Sequence, residues 1–162
     1  MPTGPDGSQF LIFIVEGFRF ALRLENVERV IPVAELTPLP EAPASIAGAV
    51  NWRGRIIPVA DIRGRFRLPA RETLLTDKII ITSTRNITLG FLADDAAGVY
   101  TLKGADIIAP GELMPGIARI EGVVRTDDGM IIIQEIDRFL SSEEEDRLIA
   151  IVQKHKGGTD GL

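Results

Sequence analysis

Between Val30 and Phe66, prolines sit where an ordinary central strand does not carry them, and this narrows the folds open to the chain. Pro32 and Pro58 lie inside the apolar, strand-like runs VIPV and RIIPVA. Proline has no N–H to give a sheet ladder, so both argue for edge strands or bulges. Between them run a proline-punctuated bend, Pro38 to Pro43, and a tight turn at Arg53-Gly54. Gly54 supplies the positive φ that a two-residue hairpin needs. Edge strands are where a second sheet is either blunted or accepted. The segment holds no strong set of catalytic groups or metal ligands. It holds a shape and presents an arginine, which points to a protein that binds proteins.

The rest of the chain reads mostly as short strands. Residues 9–15 and 18–24 form a hairpin across Glu16-Gly17. Phe18, Phe20 and Leu22 alternate with Arg19, Ala21 and Arg23, which sets aromatics on one face and arginines on the other. Residues 27–33 form another strand, 44–46 one helical turn, and 47–52 with 55–61 a second hairpin. Residues 63–77 are charged and irregular and read as a surface loop. Strands follow at 78–83, 87–93 and 98–102, with Arg85-Asn86 as the turn between the first two. Residues 104–108 read as a short helical turn stopped by Pro110, and Met114-Pro115-Gly116 as a turn. A last hairpin joins 117–125 and 130–135 through Asp127-Asp128-Gly129.

The C-terminus changes period. Ser142 and Glu145 have capping-box spacing, acids fill the first turn, and Lys154 and Lys156 precede a Gly157-Gly158 stop. A helix is expected near 143–156, with Leu148, Ile149, Ile151 and Val152 as its apolar stripe. Residues 1–8 and 157–162 are expected to be flexible ends. The pattern predicts an all-β barrel architecture closed by one helix.

Composition limits the function classes. With 162 residues, 45% of them hydrophobic, the chain can bury a core without disulfides or metal. It has no cysteine, which excludes disulfides and thiolate zinc sites, and the lone His155 makes no metal site by itself. The net charge of −5 opposes a phosphate-backbone binder, which wants a basic face. No apolar run is long enough to span a membrane, and MPTGPDGSQF lacks the basic-then-apolar order of a secretory signal, so a cytoplasmic location is expected.

Each chemically suggestive residue has a plainer reading beside it. A hairpin-tip arginine such as Arg53 is usually a solvated surface group, though its planar fork suits carboxylates. Trp52 is core or half-buried in one reading and an interface anchor in the other; tryptophan and arginine are the usual hot-spot types. Asp94 and Asp95 are neighbours on a strand, which sends them to opposite faces and favours a structural role. Helix N-terminal charge explains Glu143 to Asp146 better than metal binding does. No nucleophile elbow, P-loop or dinucleotide fingerprint is present.

One stretch carries a family likeness. LTPLPEAPASIAGAVNWRGRIIPVADIR resembles the signature region of the CheW-type chemotaxis coupling proteins, with Leu39, Pro40, Pro43, Gly48, Asn51, Arg53, Gly54, Pro58 and Asp61 in the family's order. LGFLADDAAGVYTL, with Gly90 and Asp94, resembles its middle segment, and IARIEGVVRTDDGMIIIQEIDRFL its closing hairpin. The resemblance covers residues 9–140. It implies two linked five-stranded SH3-like β-barrels, here followed by a helix at 141–156, and a non-enzymatic adaptor without cofactor or metal. Its implied partners are the regulatory domain of a CheA-type histidine kinase and a chemoreceptor's cytoplasmic tip. Nucleic acid is not among them, and the membrane is met only through receptors. Gly48, Asn51, Trp52, Arg53, Gly54 and Pro58 are the expected partner-binding positions. There is one departure. The family usually has an acid where Arg29 stands, so Arg29 and Arg53 are expected to repel, and alternation puts Glu28 on the wrong face to replace that acid. The rival expectation is a small-barrel module for nucleic acid or a small ligand.

Overall fold

The computed structural model describes residues 7–109 and 120–160. Among these are eleven strands and one α-helix: β1 Ser8–Val15, β2 Phe18–Arg23, β3 Val27–Pro32, β4 Ile46–Trp52, β5 Arg55–Ala60, β6 Lys78–Ser83, β7 Thr88–Ala93, β8 Asp95–Leu102, β9 Ile107–Ile108, β10 Ile120–Thr126, β11 Gly129–Gln134 and α1 Ser142–Asp160. The expected turn at Met114-Pro115-Gly116, the stop at Pro110 and the start of the last hairpin lie outside the described residues.

The strands make two barrel-like sheets, ordered β8-β1-β2-β11-β10-β9 and β3-β6-β7-β5-β4. The sixth strand of the first sheet, β9, is only two residues long. The second sheet is continuous in sequence. The first is not: the N-terminal hairpin takes β8 beside β1, and β11 parallel to β2, after the whole second sheet has been built.

Three apolar clusters explain why so many strands read as unbroken apolar runs. Phe10, Ile12, Ala21, Val124, Ile131 and Ile133 pack within the first sheet. Ile31, Val50, Ile57, Val59, Ile79 and Ile81 pack within the second. The largest cluster draws on both sheets and includes Phe13, Phe20, Leu22, Ile80, Phe91, Ile132, Phe139 and Leu148. Strands β1 and β6 thus bury both faces, and a strand buried on both faces loses its alternation. The alternation read in β2 holds, but its second face is partly buried too. Phe20 and Leu22 face the shared core, but Ala21 on the other side is equally buried. Arg19 and Arg23 sit at that face's ends, on Asp128 and Glu121.

The helix starts one residue away from the expected cap. Ser141 Oγ accepts from the Glu144 N–H at 3.1 Å, and the Ser141 N–H donates to Glu144 Oε1 at 2.9 Å. Both ends of a capping box are therefore satisfied by Ser141 and Glu144, not Ser142 and Glu145. Glu145 is instead free to accept from Asn86 Nδ2 at 2.8 Å, pinning the helix to the β6–β7 turn. The backbone stays helical through Gly157-Gly158 to Asp160, since glycine weakens a helix without forbidding it. Leu148 is fully buried and Ile151 and Val152 pack beside it, so the stripe closes the shared core.

The loop after β5 is not simply a surface loop. Arg63 and Asp77 are buried. Asp94 Oδ1 accepts from Arg63 at 2.6 Å and from Arg71 at 2.5 Å, while its Oδ2 accepts from the Glu16 N–H at 2.8 Å. Arg63 also reaches the Glu16 carboxylate and the Pro69 carbonyl, and Arg71 grips Asp77 with two hydrogen bonds of 2.9 and 2.8 Å. Glu16 belongs to the first sheet's hairpin, Arg63, Arg71 and Asp77 to the second sheet's loop, and Asp94 to the junction between β7 and β8. The network ties the two sheets together where the chain crosses between them.

A candidate partner-binding surface at the second barrel's end

The β4–β5 hairpin turns at Arg53 and Gly54 with φ of 53° and 82°. Both central residues are left-handed, as a type I′ turn requires. Arginine at the first of these positions is less easily placed than glycine, and the Gly54 N–H offsets this by donating to Asn51 Oδ1 at 3.0 Å. Asn51 thus shapes the turn while remaining exposed.

Trp52 is half-buried and packs against the interior cluster of the second sheet. Two guanidiniums cover it: Arg53 with its Cζ 4.9 Å from the ring centroid, and Arg29 at 6.0 Å. Arg29 comes from β3 and Trp52 from β4, the two edge strands of that sheet, so the sheet curls until its edges meet here. The expected repulsion between Arg29 and Arg53 is therefore moderated by a shared aromatic face.

A β-bulge decides the place of Glu28. In the β3–β6 ladder Val27 faces Thr82 and Arg29 faces Ile81, leaving Glu28 as the extra residue. Its carboxylate accepts from Arg55 Nη1 at 3.1 Å and from the Ser83 hydroxyl. These hydrogen bonds, Arg55 first, hold its pKa below the usual glutamate value. Glu28 serves Arg55 and not Arg53. The bulge carries no signal in a single sequence.

The other expected positions are structural supports. Gly48 is buried, and a Cβ there would stand 2.8 Å from the Thr37 carbonyl oxygen. Thr37 and Ala49 exchange two hydrogen bonds of 2.8 Å, so the proline bend covers the outer edge of β4. Gly48→Ala is expected to push the bend off that edge at about 2 kcal/mol, the scale of overpacking, read as a lower urea midpoint with unchanged slope.

Pro58 corrects the edge-strand expectation, while Pro32 fulfils it at the end of edge strand β3. β5 lies inside the sheet, between β4 and β7. Because the backbone groups of Ala49 bond to Thr37, its facing residue Pro58 belongs to a non-hydrogen-bonded pair. The missing N–H of Pro58 points away from β4, and pairing with β7 begins only at Val59. No ladder bond is lost. Pro58 then helps floor a groove between the hairpin and α1, with Ile87, Ile149 and Val152 among its walls.

The six positions thus divide. Asn51, Trp52, Arg53 and Gly54 gather at one hairpin tip, and Arg29, outside the expected six, joins them there; Gly48 and Pro58 lie beneath. Among the described residues no group of His, Cys, Asp and Glu is arranged to hold a metal ion, and no helix is long and apolar enough to cross a membrane.

Known proteins place this architecture. The CheW-like domain pattern matches residues 9–144. A chemotaxis protein CheW of Rhizobium meliloti is 27% identical over 142 residues, covering 86% of this chain and 92% of its own. Protein FrzA of Myxococcus xanthus is 31% identical over 107 residues, 63% of this chain and 64% of its own. Among solved structures, the scaffolding protein TtCheW of Thermoanaerobacter tengcongensis superposes with a TM-score of 0.71 at 30% identity, over 79% of this chain and 88% of that one.

Proposed function

The chain belongs to the CheW-like domain family, whose members are adaptors and not enzymes, and from that premise we propose that it couples chemoreceptors to a CheA-type histidine kinase in a chemosensory array. The observation that carries this reading is the family match across residues 9–144, supported by the likeness to a scaffolding protein over most of both chains. The structure suits such a role. Two barrels held as one body by a shared core and an ion-pair network offer two separate faces to two larger partners.

On this reading the kinase's regulatory domain meets a barrel end, and the receptor's cytoplasmic tip meets the region where the barrels join. The hairpin tip of Asn51, Trp52, Arg53 and Gly54 supplies contact, and Gly48 and Pro58 shape the strands that hold it. The protein works in the cytoplasm and meets the inner membrane only through receptors. Nothing favours nucleic acid for a chain with a net charge of −5.

The test is a binding titration of the purified chain against the regulatory domain of the CheA-type kinase from its own organism, and separately against a receptor cytoplasmic fragment. Saturable binding to both is expected. Failure to bind either would overturn the proposal.

A further inference from the structure

Arg29 and Arg53 are both exposed and both lie over the Trp52 ring, yet among the described residues neither joins a salt bridge. The acid next in sequence, Glu28, is committed to Arg55 and Ser83. Arg55 uses its remaining reach on Thr88 Oγ1 at 2.9 Å. Two uncompensated cations thus stand side by side in a chain of net charge −5.

Both guanidiniums lie over the indole, and neither, among the described residues, has an acid on its N–H donors. Those donors match carboxylate oxygens in a bidentate fork. The positive φ of Arg53 fixes where its stem leaves the turn, and Trp52 rests on the barrel interior, so part of the ordering is complete before any partner arrives. An aromatic flanked by two arginines has the composition of an interface hot spot.

We propose that Arg29, Trp52 and Arg53 form a platform for a carboxylate-bearing face of the kinase regulatory domain, so that the acid complementing Arg53 is supplied by the partner. The inference rests on the adaptor reading and adds its chemistry. The kinase domain is preferred to the receptor tip because the platform lies where the two edges of the second sheet meet, at the barrel end that the adaptor reading gives to the kinase, and not where the barrels join.

The experiment is calorimetric titration of the kinase regulatory domain, at low and high salt, into the wild-type chain and into Arg29→Met, Arg53→Gly and the double variant. Glycine accepts the turn's positive φ, so Arg53→Gly removes the charge without straining the hairpin. Arg53→Lys, which keeps a point charge without the fork, is the second variant. Each loss of a guanidinium is expected to weaken binding by about tenfold and to flatten the salt dependence, with Arg53→Lys only partly restoring it. In a further arm, Arg53→Glu is expected to regain affinity when an acid at the kinase domain's contact face is reversed to arginine. Binding of the receptor fragment is expected to stay within about twofold of wild type throughout.

Wild-type affinity in the double variant would overturn this inference and leave the adaptor reading intact. Loss of receptor binding with kinase binding unchanged would overturn the choice of partner. A wild-type chain that binds neither protein would remove the adaptor reading, and this inference with it.

Discussion

Arg63→Ala is expected to destabilise the protein by about 3 kcal/mol, a fall in Tm of roughly 6–12 °C. The Arg63 side chain is only 6% exposed and neutralises Glu16 and Asp94 together. Removing it leaves the Glu16 carboxylate without its cation and Asp94 with Arg71 alone at the junction of the two sheets. Both carboxylates are partly open to water, which keeps the expected loss at the lower end of the range for a broken buried pair. Arg85→Ala is the contrast: that side chain is 83% exposed and 3.8 Å from Asp137, so a change below about 0.5 kcal/mol is expected. Thermal unfolding of both variants in one buffer decides the matter.

The same network predicts an acid limb in the stability curve. Burial alone pushes the Asp77 carboxyl up. The Arg71 hydrogen bonds, the Leu74 N–H and the charges of Arg71 and Arg63 outweigh it, holding the group below the usual aspartate value. A carboxyl with a depressed native pKa adds stability that is complete above its unfolded pKa, about 3.9, and is lost as pH falls through the native value. Below about pH 4 the wild type is expected to lose stability faster than Arg71→Met. Urea midpoints measured from neutral to strongly acidic pH follow it directly.

The second large effect lies at the other end of the chain. Leu148→Ala is expected to lower stability by about 3 kcal/mol, because a fully buried leucine is replaced by a cavity in the shared core. Leu148 packs in one cluster with Phe91 and Phe139, whose rings meet edge to face at 5.0 Å. The helix is therefore part of the folded body, and its truncation before Leu148 is expected to weaken both barrels. Lys154→Ala, on the exposed side of the same helix, is expected to change stability by less than about 0.5 kcal/mol. Urea denaturation of the two variants separates core packing from helix propensity.

The local features of the fold were largely legible in the sequence. Arg53-Gly54 and Glu16-Gly17 mark two-residue hairpins because glycine readily takes the positive φ such turns use, and Ser-Glu spacing marks the helix start to within one residue. What stayed hidden is non-local. Glu16, Arg63, Arg71, Asp77 and Asp94 are far apart along the chain, and nothing in a charged loop says which side chains will be drawn inward. The pairing of β11 with β2, which makes the first barrel discontinuous, leaves no periodic trace. The bulge at Glu28 also leaves no periodic trace: Glu28 does not serve Arg53, as alternation leads one to expect, but that it is engaged with Arg55 and Ser83 is visible only in the structure. At the candidate site the hairpin tip is legible in the Asn51-to-Gly54 turn, whereas the sequence alone sets Arg29 against Arg53. The curl of the second sheet brings Arg29 onto Trp52 as a member of the site.

The central claim is that this protein acts by joining two larger proteins. Its most direct test is the autophosphorylation rate of the CheA-type kinase on receptor-containing membranes, with and without the purified chain. The account predicts that receptors raise the kinase rate, and that the kinase sediments with the membranes, only when the chain is present. An unchanged rate, with the kinase sedimenting equally well in its absence, would contradict it.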